Sequence, residues 1–211
     1  WSTLKIPHFL IALESQAVSS PGEVHRWDTT KRPAAPHWPD AWAQDQSLES
    51  AFTHSAAWPF QEMVSKIGQS NYTKWLGQFK YGNGHVPLGR DDFWLGGPLA
   101  ISVKEQVAFL SCLAVNGCGA SSASVRALEA VALQGDSGGH RLYAKTGSGP
   151  IKPGDFSGPF EGWYVGYLRN AQGAPTAAFA TYVVSDTYSL LRTYRASVSH
   201  HVLSELGLWQ R

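Results

Sequence analysis

The chain is poor in cysteine, in charge and in long apolar runs. Only two of its 211 residues are cysteines, Cys112 and Cys118. That is too few for a disulfide framework and lacks the four-ligand spacing of a structural zinc site, so no metal is expected. With five residues between them, they can close a small loop in an oxidising compartment or sit as two thiols at a helix end, and spacing does not choose. Charged residues make up 16%, with 17 Lys plus Arg against 16 Asp plus Glu. Such a balance offers no long-range field to a polyanion, which argues against a nucleic-acid partner. No apolar run approaches the ~20 residues of a membrane helix. The sequence opens on Trp1 without the basic start and small-residue cleavage site of a signal peptide, as expected of a soluble, already processed chain. What is present is 43% hydrophobic, enough to build a core and to exclude disorder for most of the length.

Apolar spacing predicts a core helix over Ser2–Glu14, with Pro7 in its early turns. Ser19–Gln44 is rich in Pro and Trp without a period and reads as a long surface excursion of the kind that edges a site. Helices follow at Asp45–Phe52, Pro59–Ile67 and Asn71–Phe79, then at Ser102–Val115 and Ser121–Leu133. Beyond His140 the composition turns to Tyr, Trp, Val and Ala. Arg141–Thr146, Gly162–Leu168 and Pro175–Val184 are expected as three consecutive strands, and Leu191–Leu206 as a closing amphipathic helix.

Two short patterns carry chemistry. Ser2-Thr3-Leu4-Lys5 puts a hydroxyl and an amine three apart, on one helix face. Serine is a poor nucleophile until a base takes its proton, and lysine is a base only if burial keeps its amine from permanent protonation. The same pair also fits a capping serine and a solvated lysine. Lys145-Thr146-Gly147 ends a predicted strand with a cation, a hydroxyl and a residue that permits close approach by a ligand. Each pattern is weak alone. Together, in this order and 140 residues apart, they match the S-x-x-K and K-T-G pair of penicillin-binding proteins and class A β-lactamases.

Beyond these two, the chain resembles the class D β-lactamases along essentially its whole length. Ser55-Ala56-Ala57 stands at that family's S-x-V element and Tyr81-Gly82-Asn83 at its Y-G-N. Phe93-Trp94-Leu95 matches F-W-L, and Gly162-Trp163-Tyr164-Val165-Gly166 is similar to a G-W-W-V-G strand. The resemblance implies an α/β protein of α+β type, with a mainly antiparallel sheet flanked by helices and a helical subdomain. One domain is expected over residues 1–211, mainly helical over about 16–135 and with strands and the last helix over 136–211.

The implied reaction is acylation of Ser2 by a β-lactam and hydrolytic release, with Lys5 carrying carbon dioxide as a carbamate and no other cofactor. A free lysine titrates near ~10.4, so that base requires a dry pocket. Trp94 would hold the carbamate through its indole N–H; as a residue it could equally be a core aromatic. Ser55, otherwise a helix cap, would pass a proton to the leaving nitrogen, tuned by Lys145. Thr146 and Arg195 would bind the substrate carboxylate, although Arg195 also fits an exposed helix position. Backbone N–H groups of Ser2 and Ser148 would hold the oxyanion. Ala57, Tyr81, Asn83 and Gly147 complete the expected substrate-side residues, with Tyr81-Gly82-Asn83 mainly a turn bordering the cleft. The implied setting is periplasmic or secreted, the partner a small β-lactam, and the oligomeric state is not legible.

The family pattern is departed from at Leu4, where an aromatic is usual, at Ala57, which shields the carbamate less, and at Ser148, where a larger residue often follows K-T-G. Early strands of the sheet precede the nucleophile in the family, so an upstream segment is expected to be missing here. A receptor that acylates at Ser2 without turnover is the alternative, since it uses the same motifs.

Overall fold

The structure, a computed structural model, describes residues 1–210. A 3-10 turn at Ser2–Leu4 leads into helix α1 (Lys5–Glu14), every residue of which from Lys5 to Ala12 is buried. An apolar helix surrounded on all sides needs no exposed polar face, and Pro7 falls in the first turn, where its missing N–H has no intrahelical duty. The excursion that follows has no regular element apart from a 3-10 turn at Asp40–Trp42. Its base is closed by paired backbone bonds between His25 and Gln46, at 2.7 and 3.0 Å.

Helices α2 (Leu48–Thr53), α3 (Trp58–Ile67), α4 (Gln69–Gln78), α5 (Val103–Asn116) and α6 (Ser122–Ala132) make the helical part. The starts are set by caps: Ser47 with Ser50, Ser102 with Glu105, and Ser121. A serine oxygen takes the orphan N–H of the first turn, which is why α2 begins at Leu48 and not at Asp45. Cys112 in α5 is joined to Cys118 just past its end, with Cα atoms 5.2 Å apart. The choice left open by their spacing falls to the closed loop.

Three strands were expected and the described residues form four: β1 (Leu133–Ser137), β2 (His140–Pro150), β3 (Phe160–Asn170) and β4 (Pro175–Ser185). They form an antiparallel meander in the order β1-β2-β3-β4. The missed strand, Leu-Gln-Gly-Asp-Ser, has no apolar alternation to announce it. It exists because Gly138 and Gly139, at φ 60° and 76°, make a two-residue turn whose twist suits a hairpin. Strand β2 also runs four residues past its expected end at Thr146, over Gly147–Pro150, because those residues stay in register with β3 down to Pro150 opposite Phe160.

Helix α7 (Tyr188–Glu205) starts at the cap Thr187 and packs on β3 and β4. Period-2 alternation divides the sheet: Trp163, Val165 and Tyr167 enter the main core with the helices, while Tyr164 and Leu168 join Leu142, Ala144 and Leu203 under α7. The apolar face expected of α7 is only partly buried. Leu191 and Leu203 are covered, whereas Leu190, Tyr194, Val198 and Val202, at successive steps of four, remain exposed. Among the described residues no helix is long and apolar enough to cross a membrane.

Candidate active site

The turn before α1 brings Ser2 and Lys5 together as their spacing predicts: Lys5 Nζ donates to Ser2 Oγ at 3.0 Å. Lys5 is 1% exposed, and its amine lies 5.3 Å from the centre of the Phe60 ring. Burial first, and the nearby Lys145 second, hold this amine well below the ordinary lysine range. The solvated alternative is thereby removed. A neutral amine in hydrogen-bond reach of a hydroxyl is a base positioned to activate it.

A second lysine and serine pair faces the first. Lys145, on β2, donates to Ser55 Oγ at 2.9 Å and to the Thr146 carbonyl at 3.2 Å. Ser55 occupies the turn between α2 and α3 at φ 61°, a left-handed conformation that disfavours a side chain by about 1–2 kcal/mol. The strain aims its hydroxyl at Lys145, and the turn is braced by Trp42, whose indole N–H donates to the His54 carbonyl at 2.8 Å. Trp58 of α3 in turn donates to the Trp42 carbonyl at 2.8 Å, so Trp42 fastens the long excursion to the Ser55 turn and to α3. Burial, with a smaller contribution from Arg195, lowers Lys145 to about 7.

Strand β2 closes on the Ser2 turn at Gly147. A Cβ there would lie 3.0 Å from the Thr3 nitrogen and 3.1 Å from the Ser2 nitrogen, so only glycine lets the strand come this near without displacing the turn. One residue on, Ser148 accepts a 2.8 Å bond from Arg195 of α7. Arg195 is therefore not a free surface residue but one tied to the strand that follows K-T-G. Thr146 is half-buried.

Trp94 and Ala57 are both buried, and the indole nitrogen of Trp94 has no protein partner. The Trp94 ring stands edge-on to His8, 5.7 Å between centres. His8, one turn beyond Lys5 on α1, was not anticipated as a site residue. The only signal for it was an imidazole inside the apolar run from Ile6 to Ala12. Tyr81 is buried beside Thr3 of the turn that carries Ser2, and its polar group and that of Asn83 are bonded within the protein. Gln106 donates to the Tyr81 hydroxyl at 3.1 Å. The Asn83 side chain donates to the Pro98 carbonyl at 2.9 Å and accepts from the Ala100 N–H at 3.2 Å. Tyr81 and Trp94 line a cavity of about 300 Å³ with Trp1, Thr3, Leu4 and Trp163. Among the described residues no cluster of metal-ligating side chains is present.

Residues 2–120 match the family model described as penicillin binding protein transpeptidase domain. The β-lactamase OXA-5 of Pseudomonas aeruginosa is 32% identical over 98% of this chain and 74% of its own length. The chain belongs to the class D serine β-lactamases. A solved structure of the class D β-lactamase YbXI from Nostoc is 30% identical, with a TM-score of 0.84 over 98% of this chain and 82% of that one. The C-terminal domain of the Bacillus licheniformis BlaR penicillin-receptor is 28% identical, with the same TM-score of 0.84 over 99% of this chain and 80% of that one. The probable β-lactamase YbxI of Bacillus subtilis and the β-lactamase OXA-48 of Klebsiella pneumoniae are matched over 61% and 60% of their own lengths. The α+β architecture and antiparallel sheet of this class D chain agree with those of its solved relatives.

Proposed function

We propose that this chain hydrolyses β-lactams through an acyl-enzyme on Ser2. The observation that carries the reading is the pair of buried lysines, each within 3.0 Å of a serine hydroxyl and flanking one glycine strand. In the first half-reaction Ser2 Oγ bonds to the lactam carbonyl carbon and its proton goes to the base at Lys5. Backbone N–H groups of Ser2 and Ser148 take the oxyanion. The ring C–N bond then breaks, and Ser55 hands a proton to the departing nitrogen, with Lys145 replenishing it. Thr146 and Arg195 receive the substrate carboxylate, a charge-assisted contact for which Ser148 now stands in on Arg195. In the second half-reaction water adds to the ester carbonyl, the base takes one proton from it, and Ser2 leaves as its hydroxyl.

Lys5 suits a carbamate as this base. Only a neutral amine adds carbon dioxide, burial supplies the neutral form, and the unpartnered Trp94 N–H offers the donor that such a group requires. A carbamate supplies an oxygen base for both half-reactions. Ala57 shields this pocket with a methyl group only, so water reaches Lys5 more easily than behind a larger side chain. The closed Cys112–Cys118 loop supports an oxidising setting, periplasmic or secreted. The receptor reading draws on the likeness to the BlaR domain.

Mass spectrometry of the intact chain during incubation with a penicillin separates the two. Hydrolysis predicts an adduct that forms and then disappears as product accumulates, and none in Ser2→Ala, which keeps its fold because only a small hydroxyl is lost. A stable adduct would establish the receptor reading, and labelling that persists in Ser2→Ala would remove Ser2 from the mechanism.

A further inference from the structure

Four of the eight buried side-chain polar atoms without a protein partner, among the described residues, belong to one cluster: both ring nitrogens of His8, the Trp94 indole nitrogen and the Tyr72 hydroxyl. The His8 ring is 5.7 Å from Trp94, 5.1 Å from Tyr72 and 4.8 Å from Phe60, each edge-on, measured between centres. Phe60 is also the ring under the Lys5 amine. Lys5 and His8, three apart on α1, project from the same helix face. Buried polar groups are ordinarily paired, and isolated exceptions are few; several in contact point to a shared missing partner.

The chemistry of the cluster identifies that partner. Burial, with Lys5 adding to it, holds His8 well below the usual histidine range, so its ring is neutral. A neutral imidazole brings one N–H donor, the indole is a donor only, and a phenol is a donor as readily as an acceptor. Three donors meet at His8, whose neighbour Phe60 also lies under the Lys5 amine, and together they call for an oxygen acceptor beside that amine.

We propose that His8 is a positioning residue for a carbamate on Lys5: its ring N–H and the Trp94 N–H donate to the carbamate oxygens. This rests on the carbamate reading of Lys5. The carbamate forms when the Lys5 lone pair makes the N–C bond, one C=O π pair moves to oxygen, and the amine proton leaves to water. His8 adds a charge-assisted bond to the product of that step and takes no part in the proton transfer.

Carbon-13 NMR of the whole chain in labelled bicarbonate, titrated at fixed pH, reads carbamate occupancy without reference to turnover. His8→Phe, which keeps a ring but no donor, is expected to need roughly tenfold more bicarbonate for half-maximal signal. His8→Asn restores a donor and is expected to stay within about threefold of the parent. Equal occupancy in His8→Phe and parent, or no recovery in His8→Asn, overturns the role of His8 while leaving the carbamate intact. No carbamate signal in the parent at saturating bicarbonate overturns both. Should His8→Phe not fold, the parent labelled with nitrogen-15 histidine carries the test: the His8 ring resonance shifts with bicarbonate in step with the carbamate signal. A resonance that stays fixed, as for a ring bonded to buried water only, overturns the proposal.

Discussion

Lys145, to which we assign a part in the proposed reaction, is also a destabilising residue. Its native amine titrates at about 7 against the ordinary 10.5, so between those two values the unfolded chain holds a proton that the native chain does not. Stability therefore rises with pH across that window, and near neutrality the burial of Lys145 works against the fold. Lys5, depressed for the same first reason, adds a slope of the same sign. Lys145→Met keeps the volume and removes the amine. It is expected to raise stability by roughly 1–3 kcal/mol near pH 7.5, to flatten the rise in Tm from pH 7 to 10, and to slow penicillin acylation at least about 100-fold. Thermal melts over that range, beside acylation rates, test it; a Tm profile unchanged from the parent would show that Lys145 is protonated at little cost. Ser2, Lys5 and Lys145 were legible as residues because motif spacing carries them. His8 was not, because a histidine within an apolar helix looks like any other core position until its neighbours are known.

Among the elements, β2 sets the working distance of the site. Its Gly147 lies against the backbone nitrogens of Ser2 and Thr3, so a methyl group there presses on main chain, which cannot rotate aside. Gly147→Ala is expected to displace the nucleophile turn by a few tenths of an ångström. We expect acylation to fall about 10–100-fold from that misplacement, at a stability loss of about 1–3 kcal/mol. Stopped-flow acylation by a chromogenic cephalosporin and a thermal melt measure the two. Parent-like acylation would mean that the close packing of β2 on the turn is incidental. The helices α1 to α6 and the strands β2 to β4 were foreseeable from periodicity and caps, with ends misplaced by a few residues. Strand β1 was not, since Gly135, Asp136 and Ser137 owe their extended form to pairing with β2 and to the glycine turn rather than to their own preference.

At the scale of the molecule, one apolar cluster joins α1 to α6 and the inner face of the sheet, and the two lysine and serine pairs sit at its border. The Cys112–Cys118 link contributes differently, by restricting the unfolded chain. It closes a loop with a sequence separation of 6, for which chain entropy gives about 2 kcal/mol. Replacing both cysteines by serine is expected to lower Tm by about 4–8 °C while leaving the acylation rate unchanged, because the link lies outside the site. An unchanged Tm would mean that the loop is equally restrained without the bond. A slowed acylation would mean that the end of α5 helps hold the cleft.

The closeness of Ser2 and Lys5, the proposed nucleophile and base, was determined by the sequence itself, because a helical turn places residues three apart on one face whatever surrounds them. The tertiary structure alone decided that Lys145 meets Ser55, across a separation of 90 residues, and that Arg195 meets Ser148, since such contacts depend on how elements pack. It also decided the protonation of both lysines, which follows from how much water the packed core excludes. Tyr81 and Asn83 illustrate the same limit. Their motif was readable, but the partners that occupy their polar groups, Gln106, Pro98 and Ala100, come from segments that only the fold brings near.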